Sequence, residues 1–66
     1  MNKYFDFSEA LNCLNYGIHV GIEINNTTRE YFTKDGLLYC KSGITTHVVN
    51  KLFWDAINSN KWFLID

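Results

Sequence analysis

Arg29, Tyr31, Tyr39 and Lys41 are the side chains of this sequence best suited to hold a ligand. A cation beside flat rings suits a nucleotide, because a guanidinium pairs with phosphate while an aromatic face stacks on a base. All four sit at odd-numbered positions in two β-prone runs, and on paired strands they are expected to share one sheet face. The same residues would also serve to cover a solvent face or to pack against a second copy. A second group, Gly43, Thr45, Thr46 and His47, reads as the start of a helix, where hydroxyls and free backbone N–H groups can receive a phosphate or a ribose. Ordinary capping accounts for the two threonines without any ligand. Trp54 lies beside the apolar stripe of that helix and offers either packing area or a stacking face. The candidate ligand-binding set is therefore Arg29, Tyr31, Tyr39, Lys41, Thr45, Thr46, His47 and Trp54.

Catalytic chemistry has little to draw on. Glu23, Glu30 and Asp35 are borne on strands and a turn, positions at which carboxylates are normally solvated, and they are assigned no role. No nucleophile stands in a recognisable pattern with a base, so the chain is read as a non-enzyme with no catalytic residues and no cofactor. Cys13 and Cys40 form no CxxC pair and are expected to be packed, reduced thiols. With His19 and His47 they could in composition make a zinc set, but the short-spaced ligand pairs of such sites are missing and no metal is expected.

The 66 residues make one domain at most, and a chain this short buries only ~60% of the surface its unfolded form exposes. Aromatic residues are 17% of the chain and supply large buried areas. A core of this size still supplies only ~3–5 kcal/mol, so self-association is expected as an additional stabiliser, with a dimer the favoured form. Net charge is −1 and the six cations are scattered, which argues against extended nucleic acid as a partner. No leader-like h-region and no apolar run of membrane-spanning length is seen, and a cytoplasmic location without membrane contact is expected.

These candidates must be positioned by short elements. Phe7, Ala10, Leu11 and Leu14 fall on one face of a helix from about Ser8 to Tyr16, with Asp6 or Ser8 as cap and Gly17 as its stop. Ile18, Val20, Ile22 and Ile24 alternate with polar or small residues and predict a strand. Asn25-Asn26-Thr27-Thr28 reads as a polar turn, and Arg29 to Thr33 as the next strand. Asp35-Gly36 then predicts a tight hairpin returning through Leu37 to Lys41 or Ser42. Val48, Val49, Leu52, Phe53, Ala56 and Ile57 form a wide apolar stripe and predict a second helix, capped at Thr45 or Thr46 and ending at Asn58-Ser59-Asn60. Lys61 to Ile65 closes the order as a strand. The expected architecture is an α+β domain, a small antiparallel sheet packed against two helices in the order helix, three strands, helix, strand.

At both ends the chain resembles a family of small phage proteins. The opening run from Phe7 to Val20 is similar to that family's F-x-E-A-L-x-x-L-x-x-G-x-x-V start, and Asp55 to Ile65 is similar to its closing D-I-L-A-x-D-W-x-V segment. These are the Thoeris anti-defence sponges, which bind NAD-derived signalling nucleotides made by bacterial TIR enzymes and so silence the host response. The resemblance implies a protein of the infected cell's cytoplasm that sequesters an ADP-ribose-type messenger without cleaving it. Where that family carries basic residues and a Trp after its first strand, this chain has Gly21, Ile22, Glu23, Ile24 and Asn25, so no ligand contact carries over. The alternative is a small phage protein that inhibits a host protein by direct binding.

Overall fold

The computed structural model describes residues 3–52 and 54–65. Helix α1, Phe7–Asn15, is capped by Asp6, whose Oδ1 accepts the Glu9 N–H at 3.0 Å. At its other end Gly17 takes φ +76°; its N–H donates to the Leu14 carbonyl at 3.0 Å and the Ile18 N–H to the Cys13 carbonyl at 2.9 Å. That pair of bonds is a Schellman motif, which ends the helix and turns the chain into the sheet. The face packed on the core is Phe7, Ala10, Cys13 and Leu14, whereas Leu11, expected there, is exposed. Leu11 lies on the flank of Ala10 away from Cys13, so the apolar stripe is centred one side over from the sequence reading.

Four strands follow as a meander: β1 Val20–Ile24, β2 Thr27–Lys34, β3 Leu37–Ser42 and β4 Thr45–Val48. Two-residue turns join them. Asn25 and Asn26, at φ 52° and 63°, and Asp35 and Gly36, at φ 54° and 79°, supply the two consecutive positive φ values of type I′ hairpins. Gly43, at φ 63°, is the only positive-φ residue of the third turn, the pattern of a II′ turn. Strand β2 therefore starts at Thr27, within the segment read from sequence as a turn. After β4 the chain crosses back through α2, Trp54–Ile57, to β5, Trp62–Leu64, which pairs antiparallel with β1 at the far side of the sheet. The strand order is β4-β3-β2-β1-β5 and every pairing is antiparallel. The architecture is α+β, with helix first, then strands, then helix, then strand, as the sequence pattern predicts.

The long second helix is a correction. Thr45 to Val48 form β4, paired with Ser42 to Tyr39, and among the described residues of the predicted helix only Trp54–Ile57 is helical, ending in the Asn58 N–H to Trp54 carbonyl bond at 2.9 Å. Five of the six residues from Ile44 to Val49 are β-branched, which favours a strand, and pairing with β3 satisfies their backbone. Val48 and Val49, read as one helical stripe, go to opposite faces: Val48 is exposed and Val49 packs against the core. The predicted stripe member Phe53 lies outside the described residues.

Both helices sit on one face of the sheet. Val20, Ile22 and Trp62 have no solvent exposure, and Ala10, Leu14, Tyr31, Cys40 and Ala56 close around them. The Trp62 ring lies 5.8 Å from Phe7 and 5.4 Å from Tyr31, and its Nε1–H donates to the Ala56 carbonyl at 2.9 Å, which fastens α2 to the sheet. Thr33 Oγ1 donates to the Leu14 carbonyl at 2.9 Å and ties β2 to the end of α1. On the other face the Phe63 ring lies over Gly21: a Cβ there would stand 2.6 Å from Phe63 Cζ and 3.0 Å from Ile65 Cδ1. Gly21→Ala should therefore displace the Phe63 ring and destabilise the fold by ~1–3 kcal/mol, the usual range for overpacking. Urea denaturation would measure it, and an unchanged midpoint would show that the ring moves aside freely.

Candidate functional site

The two helices cover β1, β5 and the near half of β2, and leave the β3–β4 end of the same face open. There the residues of paired strands line up. Tyr31 stands opposite Cys40 and Cys40 opposite His47, while Ser42 stands opposite Thr45. Arg29 projects on this face from β2, one repeat along from Tyr31. Residues 49–51 form one wall of the depression. The result is a cleft of ≈ 440 Å³, lined among the described residues by Arg29, Tyr31, Cys40, Ser42 and His47 from the strands and by Val48 to Lys51 beside them. Its size falls within the ~300–1,000 Å³ of small-molecule sites.

Its electrostatics are one-sided. Arg29, Lys51 and, when protonated, His47 bring positive charge, and no carboxylate is among the described lining residues. The ion pair found among the described residues is His19 with Glu30, at 2.5 Å on the opposite face, so half-buried Arg29 has no acidic partner there. Tyr31, Ser42 and Asn50 add neutral hydrogen-bonding groups. Burial pushes the Tyr31 phenol above its ordinary 10.0, reinforced by Cys40 and opposed by Arg29, so at neutral pH it stays a donor. Tyr4 is also raised, through its 2.8 Å hydrogen bond to Glu23. A phenol whose folded pKa is raised contributes stability that is complete below its unfolded value near 10 and is lost as pH rises through the folded value. Stability should accordingly fall above pH ~10, and Tyr31→Phe should shallow that fall relative to the parent chain in alkaline thermal melts. An equally steep fall in the variant would remove Tyr31 as its source.

Of the residues singled out from sequence, the structure brings Arg29, Tyr31 and His47 together in the cleft. Tyr39 and Lys41 are elsewhere, which corrects the expectation of a shared face. A two-residue turn at Asp35-Gly36 sets odd positions of β2 opposite even positions of β3, so Tyr31 faces Cys40, and Tyr39 and Lys41 join Phe32 and Glu30 on the outer face. Thr45 and Thr46 cap no helix: Thr45 pairs with Ser42 at the turn and Thr46 lies opposite Lys41 on the outer face. Trp54 begins α2 and is 74% exposed, outside the lining of the cleft. Cys40, Ser42, Asn50 and Lys51 were not among the candidates. Cys40 and Ser42 follow from the hairpin parity once the turn is known to hold two residues, whereas Asn50 and Lys51 enter only because β4 replaces the start of the predicted helix. Cys40 is buried in the core and Cys13 is half-buried, both as free thiols. His19 stacks on Phe32 on the outer face, so the cysteines and histidines do not converge as a zinc set.

Fold and site together define a small antiparallel α+β protein with an open, cation-lined cleft at one end of its helix-bearing sheet face. No protein-family model, curated protein or solved structure matches the chain. No helix among the described residues is long and apolar enough to cross a membrane.

Proposed function

We propose that this protein binds an NAD-derived, ADP-ribose-type signalling nucleotide in the cleft and sequesters it uncleaved, as a phage anti-defence protein acting in the cytoplasm of an infected bacterium. The observation that supports this most is Arg29: a half-buried guanidinium on the helix-bearing sheet face, with no acidic partner among the described residues, beside Lys51 and His47. A guanidinium with no acidic partner there, touching the neutral Tyr31 hydroxyl, keeps donors for an incoming anion, and a diphosphate uses them in pairs. Tyr31 and Ser42 offer hydroxyls suited to a ribose, and Val49 offers apolar surface. The sequence resemblance at the two ends points to the same class of ligand. Sequestration is favoured over turnover because the described lining sets no carboxylate beside His47 to complete an acid–base pair. Self-association belongs to the same proposal, since so small a core gains from a second copy.

The test is to mix the protein with the products of a TIR enzyme, filter away what is unbound, heat the retained fraction and identify what is released by mass spectrometry. An intact nucleotide supports the reading. A chemically altered one would make the protein an enzyme, and no retained nucleotide would sink the proposal. In that last case a host protein that co-purifies with the chain and ignores nucleotides would support direct inhibition.

A further inference from the structure

The outer face of the sheet carries one row of rings and apolar side chains that crosses the sheet from the end of β5 to β4. The Ile65 N–H donates to the His19 carbonyl at 3.2 Å; the His19 ring stacks on Phe32 at 4.7 Å and 8°, and Phe32 on Tyr39 at 5.4 Å and 14°. Tyr39 in turn stands opposite Val48 on β4. The row Ile65, His19, Phe32, Tyr39, Val48 thus lies at right angles to the strands, and neither helix covers it. Leu37, beside it at the hairpin, is 47% exposed and Val48 42%. Along β2 the residues on this face are Thr28, Glu30, Phe32 and Lys34; Glu30, whose carboxylate also bonds His19 of the row, and Lys34 are opposite charges placed symmetrically about the central ring.

We propose that this row is the contact surface of a homodimer in which two sheets pack face to face about a two-fold axis lying along the row. That axis sets Phe32 against Phe32 of the second copy. It also brings each Lys34 over the other copy's Glu30, because the two residues stand equally far from Phe32 on opposite sides. The surface is therefore complementary to itself in charge as well as in apolarity, which an isologous contact requires. Packing of two twisted sheets at about −30° tolerates this arrangement and buries the stacked rings between them. The inference rests on the self-association in the functional reading and not on its ligand, which binds on the opposite face.

Sedimentation velocity at micromolar concentrations, with circular dichroism to verify the fold, tests it. The parent chain should sediment as a dimer. Tyr39→Lys and Val48→Lys, both outside the core, should raise the dimer dissociation constant by ~10-fold or more, the effect of placing a charge in the centre of such a contact. Lys34→Glu and Glu30→Lys should each weaken the dimer, and combining them should restore it, since the pairing is reciprocal. A folded parent chain that is a monomer would overturn the proposal. So would a dimer indifferent to Tyr39→Lys, or a double charge swap no better than its single variants. Nucleotide retention by a monomeric Tyr39→Lys variant, a position outside the cleft lining, would separate failure of this inference from failure of the ligand reading.

Discussion

Trp62→Ala should leave the chain unfolded at room temperature in dilute buffer, with sheet ellipticity lost and no cooperative thermal transition. Trp62 has no exposed surface, stands at the junction of α1, α2 and the sheet, and touches Phe7 and Tyr31. Removing a buried Trp costs ~3–5 kcal/mol in a core that cannot collapse around the cavity. A domain of this length has about that much stability in total. The indole also holds the Ala56 carbonyl, so α2, one turn long, loses its anchor at the same time. Trp62→Phe separates the two effects, keeping most of the packing and losing only the hydrogen bond, at ~1–3 kcal/mol for the carbonyl left unpaired. A cooperative Trp62→Ala transition within ~1 kcal/mol of the parent would show that the core is held elsewhere.

The parts of this fold that were legible in the sequence are those whose cause is local. Asp6 and Gly17 bound α1 through hydrogen bonds within one turn, and Asp35-Gly36 forces a type I′ hairpin because few other residue pairs accept two positive φ values. The alternation from Val20 to Ile24 is equally direct, since the helices bury one side of β1. Strand β4 was not legible in the same way. Its backbone groups are satisfied by β3, a partner outside any local window, and Val48 to Ile57 also happens to fit helical spacing. The site inherits that asymmetry. Arg29, Tyr31 and His47 are conspicuous by type, but which side they face depends on hairpin parity, and one misjudged residue in pairing exchanges Tyr39 and Lys41 for Cys40 and Ser42.

Arg29→Met should weaken binding of ADP-ribose, the simplest probe of the proposed ligand class, by ~10–100-fold in isothermal titration calorimetry, the equivalent of the ~1.5–3 kcal/mol carried by hydrogen bonds to charged groups. Met keeps the length and the apolar stem of the side chain, so the cleft wall stays filled while the charge is removed. Arg29→Lys should recover only part of the loss, because an ammonium cannot grip a diphosphate with two parallel donors. Lys51→Met and His47→Gln should cost less: both residues are exposed, and water screens a contact at the rim more than one beside the buried Tyr31. Lys41→Met removes the same formal charge from the outer face, where it stands opposite Glu30 and Thr46. If net charge alone attracted the anion, Lys41→Met and Arg29→Met would be equivalent. If the cleft binds it, Lys41→Met should change affinity by less than ~2-fold, because an exposed ammonium on the other side of the sheet is screened by solvent and makes no contact with the anion. Equal losses in the two variants, or none in Arg29→Met, would remove the cleft from the binding reaction.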